Sequence, residues 1–371
     1  MSRVSVNVFS AICAFMLVCQ FVSLDSVHGQ EKVDLSVPKF DAKPLVWVED
    51  WSPSEQVSDK NRESAKRTVQ MADRLKSAQR YQKAEATYLE AMEADPTWAY
   101  PPYQLACNYE LSKQHAKAIP MFKKAIDLGF ADFPTALGDD ELGQLRDAKE
   151  FTSSLSKIRE RYIAVGKEGV GTPIAVKPNG KQPDDGWPVI LMLHGYGDSN
   201  VNYVSLAKAW AALGFVAVAV PGSTPGQDGR YMWDMESTDP TLKDLRAIMK
   251  SELLKNVVDK EKVFLFGFSQ GALHSLLLTA EHRDEFAGVV ALSPGGSLSR
   301  EMIIPKISKG RAGRLVFIHG EFEPHEPIAK SWKMACGESD WKFMSSAHPG
   351  GHHFPQDWVE QRPKIAKFLL D

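Results

Sequence analysis

The segment Lys262-Val-Phe-Leu-Phe-Gly-Phe-Ser-Gln-Gly-Ala272 runs an apolar, β-favouring stretch straight into Gly267-Phe-Ser-Gln-Gly271 and on into Ala272-Leu-His-Ser-Leu-Leu-Leu-Thr-Ala280, which reads as a buried helix start. A strand that turns into a helix within one residue forces the apex into a strained backbone and brings strand and helix nearly into contact. Glycines at 267 and 271 remove the Cβ atoms that would collide there. The G-x-S-x-G pattern in this setting prescribes a strand, a sharp turn carrying Ser269, and a helix whose first N–H groups lie beside the serine. Such groups stabilise negative charge developing on a neighbouring oxygen.

The rest of the second half predicts the sheet that this turn needs. Pro173–Val176, Pro188–Leu193, Phe215–Val220, Val263–Phe266, Phe286–Leu292 and Leu315–Ile318 are short runs rich in Val, Ile, Leu and Phe, separated by helical segments. Several are apolar on both faces, which a sheet covered by helices on both sides requires. In such sheets reactive residues collect on loops at the carboxyl ends of the strands. One such loop is His194-Gly-Tyr-Gly-Asp-Ser199, whose Tyr196 N–H is placed to be half of an oxyanion hole, with the Gln270 N–H as the other half. His194 reads as structural, because a turn of this kind works through its backbone. After Ile318, the loop His319 to Pro327 offers Glu321, Glu323 and Glu326 as an acid that would follow serine and precede histidine in the chain. Near the end, Pro349-Gly-Gly-His-His-Phe-Pro355 offers His352 or His353 as a general base toward Ser269, ahead of a last helix from Trp358 to Leu370. Adjacent histidines point in different directions and have no acidic or Cys partner at ligand spacing, so neither a metal nor any other cofactor is expected. Tyr196, Met232, Trp233 and Phe354 are candidate walls of a substrate pocket.

With these motifs in order, residues 170–371 resemble an α/β-hydrolase. They are similar to the phospholipase/carboxylesterase group that includes acyl-protein thioesterases, and to secreted esterases of the feruloyl-esterase and polyhydroxybutyrate-depolymerase type. The motifs that carry this are Leu193-His-Gly-Tyr-Gly-Asp198, Gly267-Phe-Ser-Gln-Gly271, His319-Gly-Glu-Phe-Glu-Pro-His-Glu-Pro327 and Gly350-Gly-His352. The resemblance implies a doubly wound, mostly parallel sheet and a triad of Ser269, His352 and Glu323 that cleaves a small-molecule or lipid-like carboxylic ester through an acyl-enzyme. It favours Glu323 among the three carboxylates and His352 over His353. The departure is Glu where the family has Asp. A peptidase or acyltransferase could use the same triad, and a protein-binding scaffold with a degenerate hydrolase domain is the alternative of another class.

The first half has another period. A shift of 34 positions superimposes Ala84 on Ala118, Tyr88 on Phe122, Ala91 on Ala125, Leu75 on Tyr109 and Met71 on Leu105. Small Ala residues let paired helices cross closely and aromatics fill the gap between them. Ala65–Trp98 and Ala99–Asp132 therefore resemble two tetratricopeptide repeats, lacking the characteristic Trp and Gly where Thr68 and Ala72 stand. Gly129-Phe130, Asp139–Asp147 and Phe151 suggest a third, incomplete unit. Fewer than three full repeats bury little core, so this block is expected to pack against the following domain or a protein partner.

At the start, Arg3 precedes a mostly apolar run, Val4 to Leu24, and Val27 and Gly29 fit the small-residue rule for cleavage after Gly29. The expected organisation is a signal peptide at 1–29, a linker at 30–58, an all-α tetratricopeptide-like domain at 59–158 and an α/β-hydrolase domain at 159–371. Cleavage would leave no stable membrane span and an extracytoplasmic protein, periplasmic or secreted. It would also leave only Cys107 and Cys336, in different domains, so packing rather than a disulfide framework must stabilise the fold. The 371 residues are 43% apolar and 25% charged with a formal charge of −3, and no basic cluster dominates, so nucleic acid is not an expected partner.

Overall fold

The computed structural model describes residues 35–40, 43–51, 60–167, 171–226, 230–296 and 305–371. The expected signal peptide lies outside the described residues. Leu35–Asp371 forms one compact unit.

Its centre is an eight-stranded sheet, in spatial order β1 (Val46–Trp47), β2 (Ile174–Val176), β4 (Val216–Val220), β3 (Trp187–Leu193), β7 (Val258–Phe268), β8 (Gly288–Leu292), β9 (Arg314–Gly320) and β10 (Lys342–His348). From β4 to β10 every pairing is parallel, while β2 meets β4 antiparallel and β1 runs parallel to β2. The apolar runs work on both faces because alternate residues enter different cores. Leu191, Leu193 and Leu265 pack with α8 (Asp239–Met249), α9 (Gln270–Glu281) and α10 (Glu326–Glu338), through Leu245, Leu276 and Trp332. Ile190, Met192, Phe264 and Phe266 pack on the opposite face with α7 (Val204–Ala211) and α11 (Trp358–Leu370), through Trp210 and Trp358. A separate two-stranded hairpin, β5 (Thr224–Pro225) with β6 (Tyr231–Met232), stands at the carboxyl end of β4.

Ahead of the sheet, α1 (Lys60–Ser77) pairs with α2 (Tyr81–Ala94) and α3 (Tyr100–Leu111) with α4 (His115–Asp127), followed by α5 (Phe133–Gly138) and α6 (Phe151–Lys167). Ala84, Tyr88, Ala91, Ala118, Phe122 and Ala125 are all buried in this segment's own core. The turn within each pair is built alike. Gln79 and Lys113 both adopt left-handed backbone, φ 56° and 61°. The following N–H groups, of Arg80 and Gln114, both donate over 2.8 Å to the carbonyls of Leu75 and Tyr109. These paired positions are 34 residues apart.

Two expectations about boundaries need correction. The segment expected as a linker contributes β1, whose flanks are tied to the strand beside it by Val46 N–H to Pro173 O, 3.1 Å, and Val48 N–H to Ala175 O, 2.8 Å. Leu45-Val-Trp-Val48 is apolar but too short to show a period. The helical segment also continues past 158, because Leu155, Ile158 and Tyr162 carry the buried stripe of α6 on to Lys167. Cys107 and Cys336 are free and buried. Among the described residues, no helix is long and apolar enough to cross a membrane.

Candidate active site

Ser269 stands at the apex between β7 and α9 with φ 54° and ψ −120°, a strained conformation for a residue with a Cβ. Its N–H is fixed by the Leu292 carbonyl, 3.0 Å away, at the end of the neighbouring strand. Glycine is required on both sides. A Cβ on Gly267 would stand 2.2 Å from the Gly271 oxygen, and one on Gly271 would stand 2.4 Å from the carbonyl oxygens of Leu193 and His194.

Three loops at the carboxyl ends of strands bring the other groups to this apex. The loop after β10 places His352 Nε2 2.8 Å from Ser269 Oγ. The loop after β9 places Glu323 Oε1 2.7 Å from His352 Nδ1. Glu323 Oε2 accepts from Ser293 Oγ at 2.7 Å and from the Gly320 N–H at 2.6 Å. Burial is the largest single influence on this carboxyl and acts upward. The nearby His325 ring and the bonds from His352, Ser293 and Gly320 outweigh it together and hold the group far below the usual carboxylate range. The imidazole of His352 is 48% exposed, so the site is open to a substrate from one side.

Ser293 was not among the sequence candidates. It follows the last residue of β8 with φ 48°, and its place at a strand's carboxyl end was the available signal. The other two loop glutamates lie apart from the base: Glu321 donates its N–H to the His348 carbonyl, and Glu326 pairs with Lys330 at 3.2 Å. His353 turns its Nδ1 to the Phe354 carbonyl, 2.8 Å.

Gln270 opens α9 and Tyr196 sits in the Gly-rich turn after β3; among the described residues, neither backbone N–H has an acceptor. The segment Tyr231–Trp233 ties the two together. Gly197 N–H donates to Tyr231 O at 3.1 Å and Tyr231 N–H to Asp198 O at 2.8 Å. Two residues on, the Gln270 side chain accepts from Trp233 N–H at 3.1 Å and donates to Trp233 O at 2.9 Å. His194 is buried beneath the turn, accepting from Gly222 N–H at 3.0 Å through Nε2 and giving its Nδ1 proton to Gly195 O at 2.7 Å; burial pushes its pKa down.

Two of the expected pocket walls are corrected by this arrangement. Trp233 is fully buried and donates its indole N–H to the His194 carbonyl at 2.8 Å, and Met232 is buried beside it. Their work is to brace the turn. Phe354 is partly buried and packs against Trp358 and against Phe268, whose ring lies 5.0 Å from that of His352. Tyr196 alone of the four presents a large exposed face, 49%.

One group among the described residues could converge ligand atoms on a metal: Cys107, Asp139 and Glu141. Its carboxylates are already engaged, Glu141 by the Lys76 ammonium and Asp139 by the Tyr103 hydroxyl at 2.7 Å.

The mostly parallel sheet and the strand–turn–helix elbow fit an α/β-hydrolase, and the relatives this chain is similar to are esterases and thioesterases. A family model described as serine aminopeptidase, S33, matches residues 187–336. Acyl-protein thioesterase 1 of Kluyveromyces lactis is 28% identical over 211 residues, covering 48% of this chain and 92% of that protein. A second relative, from Nocardia uniformis, is 26% identical over 178 residues, and the chain spans 49% of its length. Among solved structures, a Bacillus cereus carboxylesterase is 17% identical with a TM-score of 0.42, covering 56% of this chain and 98% of that one.

Proposed function

We propose that this chain hydrolyses carboxylic esters with Ser269 as nucleophile, His352 as general base and acid, and Glu323 as the carboxylate that orients the imidazole. The single observation that carries the reading is the unbroken chain from Ser269 Oγ through His352 to Glu323, with links of 2.8 and 2.7 Å. Ser269 Oγ attacks the ester carbonyl as its proton passes to His352 Nε2. The carbonyl oxygen becomes an oxyanion facing the N–H groups of Tyr196 and Gln270. Collapse breaks the bond to the leaving alcohol, which takes the proton from Nε2 and departs, leaving an acyl group on Ser269. Water, deprotonated by the same nitrogen, then releases the acid. Throughout, Nδ1–H donates to Glu323, which stabilises the imidazolium without taking the proton.

Purified protein is expected to cleave short p-nitrophenyl esters and to bind a fluorophosphonate probe covalently, with both activities absent in Ser269→Ala. An active Ser269→Ala protein would overturn the assignment. The serine aminopeptidase description of the matching family model favours a second reading, in which the same triad cleaves an amide. Rates on an ester and an amide of identical acyl group separate the two.

The identical turns at Gln79 and Lys113 support reading the two helix pairs as tetratricopeptide-like units. In that reading they are a surface for a protein partner. The composition of residues 1–29 supports export, and Edman sequencing of the secreted protein would then begin at Gln30.

A further inference from the structure

The geometry points to Thr135, in the helical segment, as a positioning residue for the oxyanion turn of the hydrolase. The inference rests on the esterase reading above and adds to it a part outside the hydrolase fold.

In the esterase reading Tyr196 supplies a backbone N–H to the site, and its side chain reaches the helical segment. Its hydroxyl lies 2.8 Å from Thr135 Oγ1, on α5. Thr135 is in turn held by Asp132, which caps that helix. Asp132 Oδ2 accepts from Thr135 Oγ1 at 2.8 Å and Oδ1 accepts from Thr135 N–H at 3.3 Å. The direction of the bonds follows from proton counting. Thr135 has one hydroxyl proton and gives it to the carboxylate, so the Tyr196 O–H donates to Thr135. The result is a directed chain, Tyr196 to Thr135 to Asp132, that crosses from the hydrolase to the helices. Met232 Sδ lies 3.9 Å from the same threonine oxygen, so the crossing point also touches the strand that braces the turn.

The two ends of the turn are therefore fixed from different sides. Gly197 and Asp198 are clamped by Tyr231. Tyr196 itself has an exposed ring and no backbone partner among the described residues, so its side-chain hydroxyl is its anchor. An oxyanion donor acts through direction as well as distance, and the peptide that carries the Tyr196 N–H is held on its carbonyl side, where Gly195 O accepts from His194 Nδ1 at 2.7 Å and from Asp198 N–H at 3.2 Å. The hydroxyl bond holds the same peptide from its Tyr196 side.

The test uses the full chain with three variants, Thr135→Val, Thr135→Ser and Tyr196→Phe, assayed on a short p-nitrophenyl ester beside wild type and Ser269→Ala. Thr135→Val and Tyr196→Phe are expected to lower kcat by roughly 10- to 100-fold with KM within about twofold, at an unchanged melting temperature. Thr135→Ser restores the hydroxyl and is expected to restore kcat. If wild type is active, Ser269→Ala inactive, and both Thr135→Val and Tyr196→Phe turn over like wild type, the positioning role is overturned while the esterase reading stands. A loss that tracks the folded fraction, with kcat per folded molecule unchanged, also overturns it. A wild type without esterase activity overturns the reading on which it rests.

Discussion

Glu323 is a longer side chain than the Asp its loop motif leads one to expect, and the site accommodates it by surrounding it with donors. Ser293, Gly320 and His352 all bond to it, and His325 Nδ1 stands 3.5 Å away. Retraction by one methylene in Glu323→Asp separates the carboxylate from at least one of them, and kcat is expected to fall without loss of fluorophosphonate labelling. Glu323→Gln removes the charge that selects the Nδ1–H tautomer, and kcat is expected to fall on the order of 10⁴-fold. Ser293→Ala takes away a bond to a charged acceptor, which costs about 1.5–3 kcal/mol of stability, measured by denaturant unfolding. The three residues that the structure brings together, Ser269, His352 and Glu323, were legible in the sequence, because each sits in a motif with its own backbone reason. Ser293 was not, since a serine after a strand has no pattern until the loop it meets is known. Trp233 and Met232 misled for a related reason: aromatic and sulfur side chains near a motif look the same whether they line a cavity or brace a turn.

At the scale of elements, α9 carries a buried histidine as well as the elbow. His274 bonds Thr241 Oγ1 at 2.9 Å and the Asp234 carbonyl at 3.0 Å, and burial brings its pKa down to about 4. An unfolded histidine titrates near 6.5, so between these values the unfolded chain binds more protons than the folded one. Stability is full above about pH 6.5 and falls as the pH drops toward 4, by about 3 kcal/mol from this residue alone. A pH series of denaturant melts is expected to show this slope, and His274→Asn to flatten it. The helix-pair turns make a second prediction. Gln79 and Lys113 carry side chains at left-handed backbone, and Gln79→Gly and Lys113→Gly are each expected to raise stability by up to about 1 kcal/mol in thermal melts. The period of these pairs was readable because helices repeat locally. Strands β1 and β10 were not. The first is short, and the second, Lys342-Phe-Met-Ser-Ser-Ala-His348, lies at the sheet's edge, where one side of the ladder faces no neighbour and polar residues are tolerated.

For the whole molecule, the division between helices and hydrolase read from the sequence is a division of chemistry more than of architecture. The helical segment leaves the sheet after β1 and returns to it at β2, the strand beside it. Calorimetry is therefore expected to record one cooperative transition for residues 35–371, and two separated transitions would show that the parts melt apart. A shortened chain that starts at 159 would expose the edge of β2 that β1 covers, and it is expected to aggregate where the full chain does not. The pairing of β1 with β2 also has a topological meaning. It closes the helices into a ring whose clasp is a pair of hydrogen bonds, so the loop-closure entropy of that ring is charged once, when the sheet forms. A protease cut between β1 and α1 would open the ring, and the clasp would then hold by its own affinity instead of by the high effective concentration of a tethered strand.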